Sequence, residues 1–65
     1  SHGNDVIRSK AIRNLGKLIR YGFANEIQKN EIMAKIKRVM GLDEDRKLDP
    51  AYLVRREAQE ILDAA

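Results

Sequence analysis

Cysteine, threonine and tryptophan are absent from this 65-residue sequence, and His2 is its single histidine. Without cysteine the chain cannot form a disulfide framework, a cysteine-ligated zinc or iron–sulfur site, or a thiol nucleophile. Ser1 and Ser9 are the only serines, so no set of nucleophile, base and orienting residue can be assembled. The sequence therefore predicts no catalytic residues and a protein that is not an enzyme.

Long apolar segments are missing as well. No apolar run approaches the roughly 20 residues that a helix needs to cross a bilayer, and no apolar secretory stretch opens the sequence. We therefore expect a cytoplasmic protein with no membrane partner. The first residues are polar and follow no pattern, so we interpret residues 1–4 as a disordered, tag-like segment and residues 5–65 as a single helical domain.

Neither a metal site nor a cofactor site is indicated. Asp43, Glu44 and Asp45 form the densest acidic cluster. If an EF-hand loop began at Asp43, Val54 would stand where the bidentate glutamate belongs. The four glycines are too dispersed to form a phosphate-binding loop. We therefore predict no metal and no cofactor.

Charge is distributed unevenly along the chain. The 13 basic and 10 acidic side chains give a net charge of +3. Residues 1–40 hold nine basic and three acidic side chains, a net charge of +6, whereas residues 41–65 hold four basic and seven acidic ones, a net charge of −3. Such a dipole could attract a polyanion. Alternatively, the two halves could neutralise each other across the fold or between copies in an oligomer.

Apolar residues recur at spacings of three and four, the period of an amphipathic helix, and no segment alternates with a period of two. Gly22 and Gly41 fit the left-handed position that ends many helices, and Asp49 followed by Pro50 is a typical helix start. We therefore predict an all-α fold, a compact bundle of four helices of which one is short. The predicted helices span residues 5–21, 24–28, 31–40 and 50–63.

The boundary between the second and third predicted helices comes from a change of phase. In one uninterrupted helix over residues 23–40, Ile27 would lie on the side opposite Ile32 and Ile36. We therefore predict a break that precedes Asn30, with Asn30 as the cap of the third helix. A single helix that exposes Ile27 is the alternative.

The short second helix, the tight turn and the third helix resemble a helix-turn-helix in outline. The turn would consist of Lys29 and Asn30, without the usual glycine, and Glu31 at the start of the third helix would repel DNA phosphates. Packing of short helices for structural reasons alone is the alternative interpretation.

The basic residues of the first predicted helix gather on one side. Four of them fall within an arc of roughly 80° on a helical wheel, away from the apolar residues, and only Arg8 lies among the apolar positions. Cations on one helix face can contact a phosphate backbone and gain affinity by counterion release. A solvated helix face is the alternative. The candidate nucleic-acid-binding residues are Lys10, Arg13, Lys17 and Arg20, together with Lys35, Lys37 and Arg38 of the third predicted helix.

The leading hypothesis is a non-catalytic DNA-binding domain, in a transcriptional regulator or a mobile-element protein, that contacts phosphates through this basic helix face. Tyr21, Phe23 and Tyr52 are interpreted as core or core-edge residues, so binding of single strands by stacking is not predicted. The alternative is a small helical module for protein–protein interaction or oligomerisation, in which the charge dipole serves docking. The expected partner is therefore nucleic acid, or else another protein or a second copy of this chain.

Overall fold

The computed structural model describes residues 4–64, and these residues form three α-helices. No strand occurs within this range, so the all-α prediction is confirmed there, but the prediction of four helices is wrong. No helix among residues 4–64 is both long and apolar enough to cross a membrane. The helices are α1 (Asp5–Arg20), α2 (Glu26–Val39) and α3 (Tyr52–Ala64).

The start of α1 is set by Asn4. Its side-chain oxygen accepts hydrogen bonds from the amides of Val6 and Ile7 at 3.1 and 3.2 Å, which satisfies two of the amides that a helix N-terminus leaves without a partner. Residues 1–3 of the predicted tag-like segment lie outside the described residues.

The second and third predicted helices are one helix, α2. Asn25, five residues before the predicted cap Asn30, begins it with a capping box. Asn25 Oδ1 accepts from the Gln28 amide at 2.8 Å, and Gln28 Oε1 accepts from the Asn25 amide at 2.9 Å. A break in this helix would lose internal hydrogen bonds and require a second helix nucleation. This loss of free energy exceeds the gain from burying Ile27, which is therefore left 72% exposed. The helix-turn-helix prediction is therefore wrong as well.

Gly22 and Gly41 adopt the left-handed conformation that was predicted for them after the ends of α1 and α2. These glycines have φ angles of +76° and +70°, a region that L side chains rarely adopt. After α1, the Phe23 amide donates to the Leu18 carbonyl at 2.8 Å, and the equivalent bond recurs after Gly41. The turn therefore holds the backbone of Phe23 against the last turn of α1.

α3 begins at Tyr52, two residues later than predicted. Asp49 Oδ1 accepts from the Ala51 amide at 2.9 Å, and Pro50 precedes the helix instead of occupying its first turn. The Asp49 amide donates to the Val39 carbonyl at 2.8 Å. This bond joins the end of α2 to the start of α3.

α1 and α3 run in the same direction, with α2 returning between them along the chain. Arg8 near the start of α1 contacts Asp49, and Arg13 further along contacts Glu57. Gly16 lies where the two helices pack closely, because a Cβ atom there would be 2.7 Å from the side chain of Ile61. All three helices contribute to the buried core, which consists of Ile12, Ile32, Ile36, Val54 and Ala58.

Candidate nucleic-acid interface

The solvent face of α1 carries two candidate lysines that have no carboxylate partner within the described part of the chain. Lys10 and Lys17 are exposed and lie on the side of α1 that faces away from the buried Ile12. They are seven positions apart, about 10.5 Å along the helix axis. Among residues 4–64, no carboxylate lies within 4.0 Å of either ammonium group. Both lysines are therefore available to an anionic ligand.

Arg13 differs from these lysines because it is paired across the helix interface. Its Nε donates to Glu57 Oε1 at 3.3 Å and its Nη2 donates to Glu57 Oε2 at 2.8 Å. The hydrogen bonds from Arg13, together with its charge, lower the pKa of Glu57 although partial burial opposes them. The guanidinium edge that would grip a phosphate is therefore occupied by α3.

Arg20 lies at the end of α1 and is exposed. Its guanidinium carbon is 5.8 Å from the centre of the Tyr21 ring, a cation–π arrangement that orients the group without neutralising its charge. No carboxylate among residues 4–64 lies within 4.0 Å of the guanidinium. Lys17 and Arg20 line the same groove between α1 and α3, which Glu57 and Glu60 of α3 also line, so the groove carries charges of both signs.

The three candidate cations of α2 are exposed but do not form a single patch with one another. Lys35 and Lys37 are two residues apart, which places them roughly 160° apart around the helix. Lys35 lines a groove beside Leu18 of α1, and Arg38 lies between the two lysines on the outer side of α2. The candidate cations of α1 therefore form a more continuous basic surface than those of α2.

Arg8 forms an ion pair between the two halves of the chain that the sequence did not assign. Its Nε and Nη2 donate to the two carboxylate oxygens of Asp49, each at 3.1 Å. Arg55 adds a hydrogen bond from Nη1 to the Asp49 carbonyl at 2.7 Å. The sequence did contain an indication of this pair, because Arg8 lies among the apolar residues of α1. A charged residue at such a position favours a partner on another helix.

The carboxylate of Asp49 has an altered ionisation in the folded state. Partial burial by itself raises its pKa, but the hydrogen bonds from Arg8 and from the Ala51 amide, with the charges of Arg8 and Arg55, outweigh burial and lower it. Folding therefore favours the ionised form of Asp49, which lies just before the start of α3. Among residues 4–64, no three acidic, histidine or cysteine side chains are grouped as ligands of a metal ion.

The surface also exposes apolar side chains, of which Ile27 was anticipated by the alternative of a single helix. Tyr21, Phe23 and Tyr52 were predicted in or beside the core, yet all three are exposed, Phe23 by 75% and Tyr52 by 67%. The prediction fails because each aromatic residue stands at a helix end or in a turn, outside the helix faces that meet in the core. A groove of about 410 Å³ opens between α1 and α2, next to Leu18 and Phe23.

Comparisons of the chain with models of protein families, with curated proteins and with solved structures each found no match.

Proposed function

We propose that this domain binds nucleic acid without catalysis, through phosphate contacts made by α1. The supporting observation is that Lys10, Lys17 and Arg20 are exposed and have no carboxylate within 4.0 Å among residues 4–64. These residues extend over about 15 Å of the helix axis, so they can contact successive phosphates of a strand. Arg13 contributes its charge to the same side of α1 while it remains paired with Glu57.

The proposed recognition is of the phosphate backbone, and it does not depend on base sequence. Since α2 is one continuous helix, no short helix and turn precede it to form a helix-turn-helix. Lys35, Lys37 and Arg38 then act as additional phosphate contacts, each from its own part of the α2 surface. A cytoplasmic role in transcription regulation belongs to the same proposal.

The charge reversal Lys17→Glu/Arg20→Glu tests the proposal with the full chain and a short DNA duplex. We expect the affinity, measured by fluorescence anisotropy at low salt, to fall by about tenfold or more, because two phosphate contacts become repulsive. Arg46→Glu/Lys47→Glu is the matched control, since it changes the net charge equally at exposed positions in the loop between α2 and α3.

The control should weaken binding much less than the α1 reversal. Equal losses in the two variants would mean that only net charge matters, and no binding of the wild type at micromolar protein would remove the proposal. Circular dichroism of each variant verifies that the helices persist.

Protein interaction or oligomerisation is a second candidate function. It is favoured by the exposed apolar side chains, of which Phe23 and Ile27 are the most exposed at 75% and 72%. The Arg8–Asp49 and Arg13–Glu57 pairs neutralise part of the charge dipole inside the fold, so this candidate depends on apolar contacts more than on the dipole.

A further inference from the structure

Tyr21 is an exposed aromatic side chain at the end of the basic face of α1. It is 61% exposed, although it was predicted in or beside the core. Its amide donates to the Lys17 carbonyl at 3.0 Å, and the following amide, of Gly22, donates to the Ile19 carbonyl at 3.2 Å. A ligand that stacks on Tyr21 therefore gains contact with an aromatic surface while ordering little backbone.

Two candidate cations of α1 lie on the same surface as this ring. Lys17 and Arg20 line the groove between α1 and α3 together with Tyr21. Lys17 precedes Tyr21 by about one helical turn, about 6 Å along the axis, and the guanidinium carbon of Arg20 is 5.8 Å from the ring centre. An anionic ligand that binds these cations therefore lies next to the aromatic ring.

The carboxylates of this groove are already paired with other cations. The two pairs are Arg13–Glu57 at 2.8 Å and Arg56–Glu60 at 3.4 Å, and all four of these side chains line the groove. Lys17 and Arg20 have no carboxylate within 4.0 Å among residues 4–64. The uncompensated charge of the groove is therefore positive, which favours an anionic ligand.

A nucleic-acid strand with unpaired bases matches this combination of features. Proteins that bind single strands combine cations that follow the phosphates with aromatic side chains on which the bases stack. In a duplex the faces of the bases are covered by neighbouring base pairs, so they cannot reach Tyr21. Ile19 and Met33, half-buried in the same groove, provide an apolar surface for an unpaired base.

We propose that the preferred ligand of α1 is single-stranded nucleic acid, with phosphates bound by Lys17 and Arg20 and an unpaired base stacked on the ring of Tyr21. This inference rests on the proposed function and adds to it the class of nucleic acid. Duplex DNA can contact the same cations, but it gains nothing from the ring.

The test compares a single-stranded thymidine oligonucleotide with a DNA duplex of the same length, by fluorescence anisotropy with the full chain at low salt. Tyr21→Ala should weaken binding of the single strand by about fivefold or more, because one stacked base is lost, and should leave the duplex affinity unchanged. Tyr52→Ala is the matched control, since this tyrosine is 67% exposed and does not line the groove, and it should change neither affinity. Tyr21→Phe keeps an aromatic ring and should bind the single strand like the wild type.

The outcomes separate this inference from the proposed function. Loss of single-strand binding in Lys17→Glu/Arg20→Glu but not in Tyr21→Ala would overturn the stacking and leave the phosphate contacts in place. Equal losses of single-strand and duplex affinity in Tyr21→Ala would overturn the stacking too. A wild type that binds neither ligand would instead remove the proposed function itself.

Tyrosine fluorescence tests the stacking independently of affinity. The sequence has two tyrosines and no tryptophan, so Tyr52→Phe leaves Tyr21 as the sole tyrosine. The thymidine oligonucleotide should quench its emission, whereas inorganic polyphosphate, which carries charge but no bases, should not. Unchanged emission at saturation with the oligonucleotide, or equal quenching by polyphosphate, would contradict the proposal.

Discussion

At the scale of single residues, two arginines of α1 determine how the basic and acidic parts of the chain meet. Arg8 and Arg13 are five residues apart, and each grips a carboxylate with two hydrogen bonds, Asp49 at the start of α3 and Glu57 within it. They fix the register between the two helices. Part of the charge dipole is thus neutralised inside the fold, and the remaining cations of α1 face solvent.

These pairs predict a loss of stability in acid. The pKa values of Asp49 and Glu57 are lower in the folded state than their ordinary values of 3.8 and 4.5. The ionised carboxylates therefore stabilise the fold above those ordinary values, and this contribution is lost as the pH falls through the lowered folded-state values. Melting temperatures measured by circular dichroism between neutral pH and about pH 2 should decline in acid.

The double variant Asp49→Asn/Glu57→Gln removes both titrating groups and keeps their shape. It should be less stable than the wild type at neutral pH, and its stability should change less as the solution becomes acidic. If wild type and variant decline in parallel, other carboxylates dominate the acid response.

Individual residues differ in how far the sequence could predict them. The positive φ angles of Gly22 and Gly41 were predictable, because a glycine after the last apolar residue of a helix is a local signal. The pairing of Arg13 with Glu57 was not predictable, since it depends on the register between α1 and α3. A basic residue on an outer helix face carries no local sign of a partner 44 positions later.

At the scale of helices, the cap decides the length of α2. The reciprocal bonds of Asn25 and Gln28 begin the helix, and the hydrogen-bond ladder then continues through Lys29 and Asn30. The sequence contains this signal, but the change of apolar phase indicates a break instead. The phase of the apolar residues around the helix axis indicates a helix boundary only where every large apolar residue is buried. Ile27 is exposed, so its phase does not indicate a boundary.

Removing the cap provides a direct test of where α2 begins. Asn25→Ala should lower the free energy of unfolding by about 1 kcal/mol, because the helix loses a side-chain acceptor at its N-terminus. Asn30→Ala is the matched control in the helix interior, where alanine is the better helix former, so it should be neutral or slightly stabilising. Urea unfolding measures both. The reverse order of the two effects would place the helix start at Asn30.

At the scale of the whole molecule, the surface separates into two regions of different character. Lys10, Lys17 and Arg20 make α1 basic, whereas the groove between α1 and α2 is apolar with one acid and one base at its rim. Lys35 lines this groove and also belongs to the proposed phosphate contacts, so the two regions share one residue.

The salt dependence of duplex DNA binding by the wild type is the most direct test of the proposed α1 interface. The three phosphate contacts proposed for α1, by Lys10, Lys17 and Arg20, predict that the logarithm of the association constant falls against the logarithm of salt concentration with a slope of about −3, and the additional contacts proposed for α2 make it steeper. Lys17→Glu/Arg20→Glu should reduce the slope by about 2. A wild-type affinity that does not change between about 50 and 200 mM salt, or a slope unaffected by the α1 variant, would contradict the account.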